Sequence, residues 1–90
     1  MDNNITQSMD VSTNKYFCRC CGYATLEEQG GTGSYEICSV CDWEDDKVQS
    51  DDANYEGGAN QNSLKQERQK FEKSGKTSDL VRDPNWAVEI

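Results

Sequence analysis

YFCRCCGYATLEEQGGTGSYEICSVCDWEDD, residues 16–46, decides how this chain is read, because it holds all five cysteines in two clusters. The outer pattern is Cys18-x2-Cys21, sixteen intervening residues, then Cys38-x2-Cys41. Each C-x-x-C turn can aim two sulfurs at one point, and two such turns facing each other close a tetrahedral tetrathiolate of the kind Zn2+ prefers. The spacing predicts one structural Zn2+ held by Cys18, Cys21, Cys38 and Cys41, with iron in a redox centre at the same sulfurs as the alternative occupant. The chain has no histidine, and cysteine fills every ligand position. A catalytic zinc keeps one position open, so no enzyme is expected.

Composition supports a metal staple. Ninety residues, 33% of them hydrophobic, make one domain with little material for a core. A structural zinc contributes roughly 10–16 kcal/mol in small metal-folded peptides, more than the whole stability of a typical domain. A disulfide framework would need an oxidising compartment and would leave one of the five thiols over. Residues 1–14 have neither the basic nor the apolar region of an export signal, and no later run is apolar enough to span a bilayer. A cytoplasmic protein without membrane association is expected.

Working outward from the cysteines, residues 18–22 read as a knuckle. The backbone N–H groups after the first cysteine point at its sulfur, and Gly22 allows a left-handed turn at no steric cost. Cys20 then sits inside the knuckle as an additional thiol. It is either a small semi-buried filler or idle thiol, or a reactive group whose pKa Arg19 and the metal would lower. Asp42 holds the place of Gly22 in the second knuckle, and aspartate is among the few other residues that tolerate that backbone. Residues 23–26 and 34–37 read as the two strands of a hairpin around the loop EEQGGTG, bringing the knuckles face to face. Tyr16, Phe17 and Trp43 are expected to shield the site.

The flanks divide the chain into a disordered leader (1–14), a knuckle and hairpin module with an acidic loop (15–62), and a helix with a C-terminal tail (63–90). Residues 48–62 show no helical or strand period and read as a loop. Ser63 and Gln66 form a capping box for a helix with Leu64 and Phe71 on one face, and Gly75 stops it. The apolar run from Trp86 to Ile90 could add an edge strand, pack on the core or meet a partner. The fold class is thus a small metal-stabilised α+β domain, zinc-ribbon or rubredoxin-like, with a C-terminal helix.

Net charge is −8, unevenly spread. Residues 27–56 hold ten carboxylates and one cation, Lys47, whereas residues 64–82 hold six cations and three carboxylates. Glu44, Asp45 and Asp46 read as an acidic, solvated rim or turn which, with Asp51, Asp52 and Trp86, is the candidate surface for a basic protein partner. The alternative is a nucleic-acid-binding zinc ribbon using Lys65, Arg68, Lys70 and Lys73 of the cationic helix 64–74, although the acidic half repels phosphate backbones and nucleic acid is not the expected partner.

These residues together resemble the bacterial cysteine-rich CPCC family of small zinc-binding domains. The likeness rests on Cys18, Cys20-Cys21-Gly22, Thr25-Leu26, the run from Gly33 to Cys38, Val40-Cys41, the run from Trp43 to Asp46, the run from Gly57 to Asn60, and Ser63-Leu64 with Arg68. It spans residues 16–75. Phe17 and Arg19 replace the family's prolines, Asp42 its glycine and Glu67 its alanine, and the first two loosen the preorganisation of the knuckle. The resemblance also implies occurrence partly among small bacterial and mobile-element genes, sometimes near toxin or defence systems. That implies a small phage or bacterial inhibitor, immunity-like or anti-defence protein that acts by binding a partner.

Overall fold

The computed structural model describes residues 9–86. Its elements run in the order β1 (Met9–Asp10), β2 (Lys15–Phe17), β3 (Ala24–Leu26), α1 (Lys47–Asp51) and α2 (Leu64–Ser74). The strands form one antiparallel sheet, β1-β2-β3, with Met9 opposite Tyr16, Tyr16 opposite Leu26 and Phe17 opposite Ala24. A register shift between Tyr16 and Phe17 falls just before the first cysteine.

The leader expected over residues 1–14 is corrected at its end, where Met9–Asp10 form a strand; residues 1–8 lie outside the described residues. The turn from β1 to β2 is built by polar side chains. The Asp10 carboxylate accepts from the Ser12 amide (3.3 Å) and from the hydroxyls of Ser12 and Thr13, the latter at 2.6 Å. Asn14 takes the left-handed conformation (φ 63°) that Asn tolerates better than most residues. A search for apolar period misses such a turn because its order comes from side chain to backbone bonding.

The hairpin expected between residues 23–26 and 34–37 does not form among the described residues. β3 folds back on β2, and residues 35–37 fold back on residues 44–45 through Tyr35 N–H to Asp45 O and Asp45 N–H to Glu36 O, both 2.9 Å. The reason is local. A cysteine knuckle reverses the chain by itself, so each knuckle closes its own short hairpin, and the glycine loop only links the two.

Residues 48–62, expected as a loop, begin with α1 and are then held by a buried amide. Asp46 caps α1, accepting from Gln49 N–H. Gln49 is fully buried, and its Nε2 reaches the carbonyls of Tyr55, Asn60 and Asn62 at 3.0–3.1 Å while its Oε1 accepts from Asn60 N–H and Nδ2. Gly58 passes so close that a Cβ there would lie 2.7 Å from Asp46 Oδ2 and 2.8 Å from the Gln49 amide carbon. The backbone's polar groups are satisfied inside the loop, so it needs no strand or long helix to be ordered.

α2 forms as its sequence predicts. Ser63 and Gln66 make both bonds of the capping box, at 3.1 and 2.8 Å, and Gly75 ends the helix at φ 72°. Leu64 and Phe71 are its buried residues and join Tyr23, Leu26, Trp43 and the buried cysteines in one core, each such side chain stabilising the fold by about 1.5–3 kcal/mol. Phe71 meets Tyr23 edge to face at 6.3 Å. No helix among the described residues is long and apolar enough to cross a membrane.

Candidate metal centre

The two knuckles are built alike. In the first, Cys18 N–H bonds Tyr23 O and Gly22 N–H bonds Cys18 O, both 2.9 Å, and Cys20 N–H points at Cys18 Sγ from 3.4 Å. In the second, Cys38 N–H bonds Trp43 O and Asp42 N–H bonds Cys38 O, again 2.9 Å, and Val40 N–H points at Cys38 Sγ from 3.4 Å. Both turns need a left-handed residue, supplied by Gly22 (φ 84°) and Asp42 (φ 68°). Thr25 adds a contact the sequence did not single out, its hydroxyl donating to Cys38 Sγ at 3.1 Å. Donors that approach a ligand sulfur in this way orient it and favour its anionic form.

Facing each other, the knuckles bring the sulfurs of Cys18, Cys21, Cys38 and Cys41 within 4.8 Å of one another. Cys18 lies 3.7 Å from Cys41, and Cys21 lies 3.7 Å from Cys38. Four sulfurs at the zinc–thiolate distance of about 2.3 Å from a common centre, in tetrahedral directions, stand about 3.8 Å apart. The donor set and its spacing therefore fit a tetrathiolate metal ion. All five cysteines are free thiols, and Cys20, although buried, is outside the cluster.

The proton balance of the cluster points the same way. Cys38 is held far below the usual thiol value by hydrogen bonds from Cys18, Cys21 and Cys41, with Thr25 adding to them. Cys18 is pushed up, first by its hydrogen bonding with Cys21 and then with Cys38, and Cys41 is pushed up first through Cys18. Cys21 also ends high, because Cys38, Cys41 and burial outweigh a hydrogen bond with Cys18 that pulls the other way. Thiols this close oppose one another's ionisation, and a cation at the centre would favour the thiolate form of all four.

The profile of the cysteine-rich CPCC family matches residues 16–85. This chain belongs to that family. No curated protein matches it. In this CPCC domain the cysteines of both paired motifs form the metal-competent cluster, and the C-terminal part of the matched region, beyond the helix, folds back onto the first of them.

Of the courses expected for the C-terminal run, Trp86 takes packing on the core, at the first knuckle. Residues 81–83 pair beside residues 22–24, through Ala24 N–H to Val81 O (2.9 Å) and Asp83 N–H to Gly22 O (2.8 Å). Three side chains then cap the knuckle: Arg68 Nε donates to Arg19 O at 2.8 Å, Trp86 Nε1 to Cys20 O at 2.7 Å and Arg82 Nε to Cys21 O at 2.8 Å. Four successive carbonyls, 19–22, are thereby satisfied from outside the knuckle. The Arg82 guanidinium lies 3.9 Å from the Trp86 ring centre and 4.9 Å from that of Tyr23. Trp86 is therefore half-buried against the knuckle; residues 87–90 of the proposed terminal strand lie outside the described residues.

The acidic residues are placed differently from the solvated rim expected of them. Asp45 is 0% exposed, its carboxylate accepting from the amides of Gly31 (2.7 Å), Gly33 (3.0 Å) and Ser34 (3.3 Å). Asp46 is also buried, accepting from Gln49 N–H and Ala59 N–H, the latter at 2.9 Å. Glu36 does the same for the amides of Glu27 and Glu28. These carboxylates hold loop backbone, which at Gly31 and Gly33 has no side chains of its own to anchor it. Glu44 is half-buried, and Asp51 and Asp52 are exposed.

Proposed function

We propose that this domain binds one structural Zn2+ at Cys18, Cys21, Cys38 and Cys41, and that it works as a protein-interaction module rather than as an enzyme. The tetrahedral spacing of the four sulfurs carries the metal reading. Cysteine supplies every donor, which suits a closed structural site. When bound, the ion would tie together two hairpins that share few backbone bonds. Metal analysis of the purified protein tests this: one zinc per chain is expected, a red protein would assign iron instead, and the absence of any stoichiometric metal would refute the reading.

The partner is proposed to be a basic protein. With Asp45 and Asp46 engaged in the fold, the candidate carboxylates that remain accessible are Glu44, Asp52 and Asp51, the last paired with Lys47 at 2.6 Å, and the exposed apolar side chains Tyr35, Ile37 and Val48 belong to the same half of the chain. On the rival nucleic-acid face, Lys65, Lys70 and Lys73 are exposed, but Arg68 is half-buried and bonded to Arg19 O. Capture with wild-type protein and with a double variant, Asp51→Lys with Asp52→Lys, distinguishes the readings. Loss of a basic partner in the variant is expected, whereas nucleic acid recovered with the wild type would favour the helix.

A further inference from the structure

We infer that the metal centre has a fixed half and an opening half: the clasp of Arg68, Arg82 and Trp86 locks the first knuckle, and thiol-directed chemistry and metal exchange begin at Cys41 of the second. This rests on the metal reading above and goes beyond it in assigning unequal roles to the four ligands.

The observations come from both sides of the cluster. On the first side Cys18, Cys20 and Cys21 are buried, carbonyls 19–21 are each bonded to the clasp, and the Gly22 carbonyl accepts from Asp83 N–H. Opening that knuckle means breaking several hydrogen bonds at once and lifting Trp86 off Gly22, where a Cβ would lie only 2.5 Å from the indole Cδ1. On the second side Cys41 is the one ligand that is not buried, between exposed Ser39 and Asp42 at the surface. A cleft of about 470 Å3 opens beside it, lined by Val40, Cys41, Trp43, Lys70 and Phe71. No clasp among the described residues covers residues 39–41, and the buried Trp43 indole N–H next to them has no acceptor there. Local opening follows the path that breaks the fewest buried contacts, which here runs through the second knuckle.

The ligand class for the open side is a soft electrophile or a competing thiophilic chelator small enough for the cleft. With N-ethylmaleimide as probe, the Cys41 thiol gives its proton to solvent and its sulfur adds to the ring alkene: the S–H and C=C π bonds break, the S–C bond forms, and the neighbouring carbon takes a proton from solvent.

The test uses the full chain with its metal content measured first. Brief maleimide labelling followed by peptide mass spectrometry is expected to find Cys41 modified at least about tenfold faster than Cys18, Cys20, Cys21 or Cys38, the factor that one retained hydrogen bond supplies. Arg82→Ala should bring labelling of Cys18, Cys20 and Cys21 toward that of Cys41 and speed zinc transfer to a chromogenic chelator. Trp86→Phe, which keeps an aromatic ring beside Arg82 but loses the donor to Cys20 O and part of the indole's contact area, should shift both in the same direction by less. First labelling at Cys18, Cys20 or Cys21 in the wild type, or equal rates at all five, overturns the inference even if zinc is present. A protein without stoichiometric metal instead refutes the metal reading, and the same labelling order is still required of it.

Discussion

The two knuckles share a backbone plan but not an environment, and the difference shows in a single residue. At the left-handed position the first uses glycine and the second aspartate. Trp86 lies over Gly22, where any Cβ would collide with it, while Asp42 is exposed. Conformation alone would accept either residue in both places; the overlying tryptophan makes the choice at position 22. The first knuckle is held from outside by the C-terminal clasp. The second is held from behind, by Asp45 and Asp46 gripping the loops that precede and follow it, respectively. Two equal halves of one metal site are thus supported by unrelated parts of the chain.

The largest expected effect treats both halves alike. Removing the metal with a chelator should unfold the domain, since the ion's contribution of roughly 10–16 kcal/mol exceeds what so small a core supplies. Loss of the far-UV circular dichroism signal would show it, and an unchanged spectrum would mean that the hairpins stand without the ion.

Next in size is Asp45→Lys. The carboxylate that accepts three amides is replaced by a buried ammonium, at a cost on the order of 4 kcal/mol, whereas Asp51→Lys on the exposed surface should change stability by less than about 0.5 kcal/mol. Urea denaturation of the two variants measures the contrast; equal effects would return Asp45 to the surface.

Gly22→Asp asks whether the first knuckle accepts the residue its twin carries. The clash with Trp86 should release the clasp and cost about 3 kcal/mol, with the indole fluorescence shifting toward that of exposed tryptophan. A variant as stable as the wild type would separate Trp86 from the knuckle.

A smaller effect depends on pH. The amides of Ala59, then Gln49 and Val48, hold the Asp46 carboxyl below its ordinary value of 3.8. A carboxyl lowered in the fold contributes stability that is fully present above its unfolded value and is lost as pH falls through the folded one. Asp46→Asn, which keeps an N-cap acceptor for α1 and removes the charge, should therefore be less stable than the wild type by about 1 kcal/mol near pH 6, and the gap should narrow below about pH 4. A gap that is constant with pH would remove the charge from the account.

Smallest is the reciprocal exchange, Asp42→Gly. Nothing overlies this position, so relief of left-handed backbone strain should leave stability unchanged or raised by up to about 1 kcal/mol. A loss beyond that would reveal a role for the Asp42 carboxylate.

What the sequence determined by itself is whatever depends on neighbours within a turn or two. The spacing of Cys18, Cys21, Cys38 and Cys41 named the sulfurs that cluster, because a C-x-x-C turn sets two sulfurs by local geometry. It set Cys20 aside for the same reason, and the capping box and Gly75 bounded α2. Tertiary structure alone decided what each side chain meets across the chain. Asp45 and Asp46 read as a solvated rim because charge in sequence carries no sign of which backbone amides will surround it. Gln49 and Asn60 looked like loop polarity, though they are the loop's scaffold. The clasp joins Arg68, Arg82 and Trp86 to carbonyls 49–66 residues away, and a carbonyl, common to every residue, leaves no mark in the sequence of which donor will find it.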